Sequence, residues 1–138
     1  MQREPQTDSR PLILYIDDDR FLLTVGADLL DLYGFRTVIA PDGPRGIETA
    51  TMVRPDVILL DLGMPGMDGF EVCRRLRAIP ELRDTPVILF TARQELKVDV
   101  AALEAGATVT LRKGDDATEL ISTIHRLLGH GLGRGRAT

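Results

Sequence analysis

The sequence predicts an α/β domain: a doubly wound, five-stranded parallel sheet with helices on both faces. Three observations predict it. Residues 12–16, 57–60 and 86–90 are short apolar runs without polar alternation, the pattern of strands covered on both faces. They alternate with segments whose apolar residues recur every three or four positions, as amphipathic helices require. Short joints carrying Asp, Gly and Pro separate the two kinds, which implies parallel pairing through right-handed crossovers.

Taken in order, residues 12–16 (Leu-Ile-Leu-Tyr-Ile) form a central strand, too short for a helix and too evenly apolar for an edge, and deliver Asp17, Asp18 and Asp19 into a loop. Asp19 N-caps the next helix, whose apolar stripe is Phe21, Leu22, Val25, Leu29 and Leu32 and which stops at Gly34. Asp17 and Asp18 are then left without a structural task. Residues 36–40 are the second strand. Asp42 with Pro44 opens a helix carrying Ile47, Ala50 and Val53 on one face, and Arg54-Pro55 ends it. The third strand, 57–60, ends at Asp61, Pro65-Gly66 turns the chain, and Asp68 with Glu71 marks a helix from about Gly69 to Ile79. Residues 86–90 are the fourth strand, with Thr91-Ala92 just past its end. Leu96, Val100 and Leu103 mark a helix that closes at Gly106, residues 107–111 form a more polar fifth strand, and Lys113 follows it. Asp116 and Glu119 box the start of a last helix whose buried stripe is Leu120, Ile121, Ile124, Leu127 and Leu128.

With 138 residues the chain has the length of one domain. The polar residues 1–10 and the Gly-rich residues 130–138 read as flexible tails, the second also as a linker stub, around a domain at 11–129. A net charge of -4 and a pI near 5.1 argue against a nucleic-acid surface, which needs a basic stripe. The single cysteine, Cys73, cannot close an internal disulfide, and no stretch resembles a signal peptide or a membrane span, so a cytoplasmic protein is expected.

In the flavodoxin-like strand order 2-1-3-4-5, the first and third strands are neighbours at the switch point where such sheets place their ligand chemistry. That edge collects Asp17, Asp18 and Asp61, with Thr91 and Lys113 on the far side of the same crevice. Three carboxylates so placed repel one another, by about 4 kcal/mol per pair at a separation of about 4 Å and an effective dielectric of about 20. Lys113 neutralises one charge. An open acidic site of this kind suits Mg²⁺, which takes one or two carboxylates and keeps several waters. Phosphoryl groups complete such shells, and Asp61 is placed to become a covalent acyl phosphate. The Thr91 hydroxyl and the Ala92 backbone N–H are phosphoryl-oxygen partners. No base is poised to activate water, which favours a persistent covalent product over rapid turnover.

Taken together, the Ile-Leu-Tyr-Ile-Asp-Asp-Asp run, the Asp61-Leu-Gly-Met-Pro-Gly-Met-Asp-Gly run, Thr91-Ala92 and Lys113 resemble the receiver domain of two-component response regulators, of the chemotaxis-regulator kind, over nearly all of residues 12–128. The resemblance implies that Asp61 is the phosphoacceptor. It implies that Asp18, Asp61 and the backbone carbonyl of Gly63 ligate Mg²⁺, with Asp17 helping through water. Lys113 would pair with Asp61 and then with its phosphoryl group, while Thr91 would follow that group. The donor would be a sensor histidine kinase or phosphotransfer protein. The output would be a conformational change read by a downstream protein, with no direct nucleic-acid or membrane contact, in a monomer or a phosphorylation-dependent dimer. Such a module is not a turnover enzyme, and it acts alone or as an excerpt of a longer regulator.

Two positions depart from the family pattern. Gly114 stands where Pro usually follows the lysine, and because a cis bond to a non-proline residue costs about 2.5 to 4 kcal/mol, a trans peptide and a rearranged loop are expected. Thr110 replaces the aromatic switch residue, so the signal must travel through loops, backbone or another side chain. Competing readings are a flavin-binding electron carrier, whose phosphate Asp17 to Asp19 would repel, and an Asp-nucleophile phosphohydrolase, which wants an acid at the position of Gly63. An unphosphorylated docking module is the remaining alternative. His125 reads as solvated surface, His130 as part of the tail, Cys73, Met64 and Met67 as packing residues, and Arg93 as a group near an incoming donor.

Overall fold

In a computed structural model, residues 8–92, 96–114 and 117–136 are described, as main chain only at 96 and 130–136. Five parallel strands, β1 (Leu12–Ile16), β2 (Arg36–Ala40), β3 (Val57–Asp61), β4 (Val87–Thr91) and β5 (Val109–Arg112), lie in the order β2-β1-β3-β4-β5. The joining helices are α1 (Arg20–Leu32), α2 (Gly43–Val53), α3 (Gly69–Arg77), α4 (Leu96–Ala105) and α5 (Ala117–Arg136), with a short 3-10 turn at Pro80–Leu82.

Successive strand side chains point to opposite faces, and here both faces are apolar. Leu14, Ile16, Ile58, Leu60 and Leu89 form one core with Ala50, Val72, Leu76, Ala102 and Ala105 of α2, α3 and α4. Ile13, Tyr15, Leu59 and Ile88 form the other with Leu23, Leu30, Leu120, Ile121 and Ile124 of α1 and α5. The predicted α/β architecture and strand order are therefore those observed. The caps are observed too: the carboxylates of Asp19, Asp42 and Asp68 accept from the backbone N–H groups of Leu22, Arg45 and Glu71. Glu71 does not merely repeat the capping signature. Its carboxylate receives the guanidinium groups of Arg74 and Arg75.

Three helix faces differ from the sequence expectation. On α1 the inner residues are Leu23 and Leu30, while Phe21, Val25 and Leu32 of the expected stripe are exposed and Leu22 and Leu29 are half-buried. On α2 the expected Ala50 is buried and Ile47 packs against the core, but Gly43 and Gly46 share the inner face and Val53 lies outside. On α4 the inner face is Val98, Ala102 and Ala105, with Val100 and Leu103 outside. On α2 the reason is close approach: a Cβ added to Gly46 would lie 2.5 Å from Ile16 Cδ1, so only small residues fit between this helix and β1 at that point. The last helix also runs to Arg136, past the end expected near Gly129. At the other terminus, Asp8 and Arg10 pair with each other and Arg10 reaches Asp31 on α1. Asp116, the expected cap of α5, lies outside the described residues.

One fastening lies at the end of the sheet where β4 and β5 begin. The Arg77 guanidinium donates to the carbonyls of Leu82, Thr85 and Gly106 at 2.9, 2.6 and 2.8 Å. It thereby ties α3 to the segments entering β4 and β5.

At the opposite end, Gly69 opens α3 against the end of β3. A Cβ there would lie 2.7 Å from the Asp61 carbonyl oxygen and 2.8 Å from Leu62 Cα, both backbone atoms that cannot rotate aside. Gly69→Ala is expected to lower the unfolding free energy by about 1–3 kcal/mol in a urea titration. Gly63→Ala, where a Cβ meets nothing within 4 Å, should change it by less than about 0.5 kcal/mol.

Candidate functional site

The switch point brings β1 and β3 side by side, with Ile16 paired to Leu60, so Asp17 and Asp61 emerge as neighbours one residue later. Asp17 is fully buried. Its Oδ1 accepts the Asp19 N–H at 2.9 Å, and its Oδ2 accepts both the Tyr15 hydroxyl at 3.0 Å and Lys113 Nζ at 2.9 Å. Asp61 is 5 % exposed, and its Oδ1 lies 2.9 Å from the same Nζ. Asp18 is exposed at the mouth, and carboxylate oxygens of Asp17, Asp18 and Asp61 all lie within 4.8 Å of one another. Leu62, Gly63, Thr91 and Ala92 complete the cleft. Lys113 is aimed inward because its backbone N–H donates to the Thr91 carbonyl at 2.7 Å, continuing the pairing of β5 with β4 by one residue.

Burial pushes the Asp61 carboxyl above its ordinary value and the negative charge of Asp17 adds to this, against the opposing hydrogen bonds from Lys113 and the Gly63 N–H. Burial alone would lower the Lys113 ammonium, but Asp61 and Asp17 outweigh it and hold the lysine charged. Three carboxylates thus face one ammonium. The residual negative charge, the oxygen-only donor set and the exposed Asp18 fit a hard divalent ion that keeps part of its water shell.

The structure brings Asp17, Asp18, Asp61, Gly63, Thr91, Ala92 and Lys113 to one cleft. Asp17 needs a correction: it is not structurally idle but the buried anchor of the group, with both carboxylate oxygens engaged. Tyr15 was missed, because it sat in an aliphatic run and read as core. The available signal was that a tyrosine buried two residues before an aspartate must find a partner for its hydroxyl. The Lys113–Gly114 peptide is trans, and Gly114 takes a φ of 89°, a left-handed turn that replaces the usual proline corner. Thr110 donates from Oγ1 to Asp99 Oδ1 at 2.8 Å, linking β5 to α4. His125 is exposed and lies against the Phe35 ring, Cys73 is buried with its thiol pushed up by burial, and Met64 is buried in the core. Arg93 lies outside the described residues.

Over residues 13–125 the chain matches the response regulator receiver domain family. The chain belongs to this family. Among relatives, it is 36% identical over 118 residues to the DNA-binding dual master transcriptional regulator RpaA of Synechocystis sp., covering 86% of this chain and 49% of that protein. The chain thus spans about half the length of the curated relatives it matches. Among solved structures, chemotaxis protein CheY4 of Vibrio cholerae superposes with a TM-score of 0.83 at 27% identity, covering 86% of this chain and 99% of that one. The receiver domain of sensor histidine kinase PA1611 from Pseudomonas aeruginosa, a structure with a magnesium ion coordinated in its active site cleft, superposes with a TM-score of 0.81 at 30% identity, covering 88% and 99%. This receiver therefore combines a family known for signalling rather than turnover with an acidic cleft suited to a divalent ion. Among its described residues no helix is long and apolar enough to cross a membrane.

The crowding has a measurable cost. A carboxyl whose folded value is raised favours folding below its unfolded value, and that contribution is lost as pH rises through the folded value. At pH 7 without divalent ions, Asp61→Asn is accordingly expected to stabilise this receiver by about 1 kcal/mol. The gain should vanish in acid, where Asp61 is protonated in the wild type, and thermal melts across pH read it directly.

Proposed function

We propose that the receiver accepts a phosphoryl group on Asp61 from a histidine kinase or phosphotransfer protein and signals by the change that follows. The observation that carries this reading is a nearly buried carboxylate held on an ammonium at the mouth of an acidic cleft. An Asp61 carboxylate oxygen forms the new bond to phosphorus, the donor's bond to phosphorus breaks, and its electron pair leaves with the donor nitrogen. Asp18, Asp61 and the Gly63 carbonyl would hold Mg²⁺, with Asp17 contributing through water. The ion, when bound, offsets charge on the transferring oxygens. Lys113 follows the new charge on the phosphoryl group, and the Thr91 hydroxyl and Ala92 N–H receive its oxygens.

Among the described residues no general base is placed to activate water at Asp61, which favours a product that persists and a switch rather than a turnover enzyme. The partners are the phosphodonor and a downstream protein, in the cytoplasm, with no direct nucleic-acid contact by this domain, acting as a monomer or as a dimer formed on phosphorylation. DNA binding belongs to RpaA as a whole protein. With Thr110 in place of an aromatic ring, the response passes through the hydrogen bond to Asp99 and so into α4. The alternative, an unphosphorylated docking module, gives the opposite result in the following test.

With Mg²⁺ and a small acyl-phosphate donor, intact-mass measurement should show one added phosphoryl group. Asp61→Asn or chelation of the metal should abolish it, and a wild-type chain that gains no mass rejects the reading. Thr110→Val should leave the labelling rate within about twofold while increasing amide hydrogen exchange along α4.

A further inference from the structure

Tyr15 is the aromatic member of an otherwise aliphatic β1, and the helix above it is shaped to admit it. Gly26 lies in the middle of α1, where glycine weakens a helix, yet a Cβ there would sit 2.6 Å from Tyr15 Cε2 and 3.1 Å from Cδ2. The ring therefore occupies a slot between strand and helix, and its hydroxyl reaches the acidic cleft from beneath, donating to Asp17 Oδ2 at 3.0 Å. Lys113 donates to the same oxygen at 2.9 Å while also contacting Asp61.

This sharing matters once phosphate arrives. Under the function proposed above, on which this inference rests, Lys113 is drawn toward the phosphoryl group on Asp61 and loosens its hold on Asp17. Asp17 is fully buried, and a buried carboxylate that loses a donor carries the whole desolvation penalty. We propose that Tyr15 is a positioning residue for phosphoryl transfer, its hydroxyl keeping Asp17 satisfied and oriented while Lys113 moves to the phosphoryl group. A phenol is protonated near neutral pH, so the hydroxyl is available as a donor there. Tyr15 touches neither donor nor metal; it acts through Asp17.

Tyr15→Phe keeps the ring in its slot and removes only the hydroxyl. Labelling by a small acyl phosphate at saturating Mg²⁺ should slow about tenfold, while the Mg²⁺ concentration for half-maximal labelling moves by less than about twofold. A ring that merely filled space would leave the rate alone. A Tyr15→Phe rate within about twofold of wild type overturns the proposal, as does a loss that disappears once Mg²⁺ is saturating. Should Tyr15→Phe melt below the assay temperature, Gly26→Ala decides, because its Cβ displaces the ring and hence the hydroxyl: comparable slowing supports the proposal, and a wild-type rate overturns it. A wild-type chain that takes up no phosphoryl group removes the parent reading and this one together. A wild type that labels beside an equally fast Tyr15→Phe removes this one alone.

Discussion

Lys113 Nζ stands 2.9 Å from the carboxylates of both Asp17 and Asp61, and the arrangement of this end of the molecule depends on that shared ammonium. Without it, two nearly buried acids would face each other in a cleft that already holds a third. With it, the cleft is close enough to neutral to fold and still negative enough to draw in a divalent ion. The requirement also fixes the geometry around it. Lysine must come from β5, its acids must come from β1 and β3, and β4 must lie between to carry Thr91. The strand order β2-β1-β3-β4-β5 satisfies these conditions together.

The site was legible because polar side chains ended runs that were otherwise uninterruptedly apolar. Asp17, Asp61 and Thr91 each follow or end a buried strand, and parallel topology sends such endings to a single edge. The strands were legible for the same reason, since aliphatic residues on both faces leave little doubt about burial. The trans peptide before Gly114 was foreseeable from the cost of a cis bond before a non-proline residue, whereas its left-handed φ was not.

Other features were not legible, and each for a physical cause. Helices α1 and α4 carry large apolar residues on more than one face, and periodicity alone favoured the bulky stripe. The structure turns Leu23 and Leu30 of α1 and Val98, Ala102 and Ala105 of α4 inward instead. The hydroxyl partner of Tyr15 was readable from its place two residues before Asp17, but the slot that seats its ring depends on the spacing between β1 and α1. The length of α5 was missed because its glycines were read as a stop, although glycine only weakens a helix and leaves its main-chain hydrogen bonds available.

Arg77 gives the sheet two unlike ends. By gathering carbonyls from Leu82, Thr85 and Gly106, it clamps the segments that enter β4 and β5 to α3. The exits of those strands are held differently: Lys113 joins the end of β5 to Asp17 and Asp61 through its ammonium and to Thr91 through its main chain. An ammonium shared between two carboxylates can exchange partners when a new charge arrives, whereas a guanidinium spread over three carbonyls has no such alternative. The far rim therefore stays a fixed reference against which displacement at the cleft can be read.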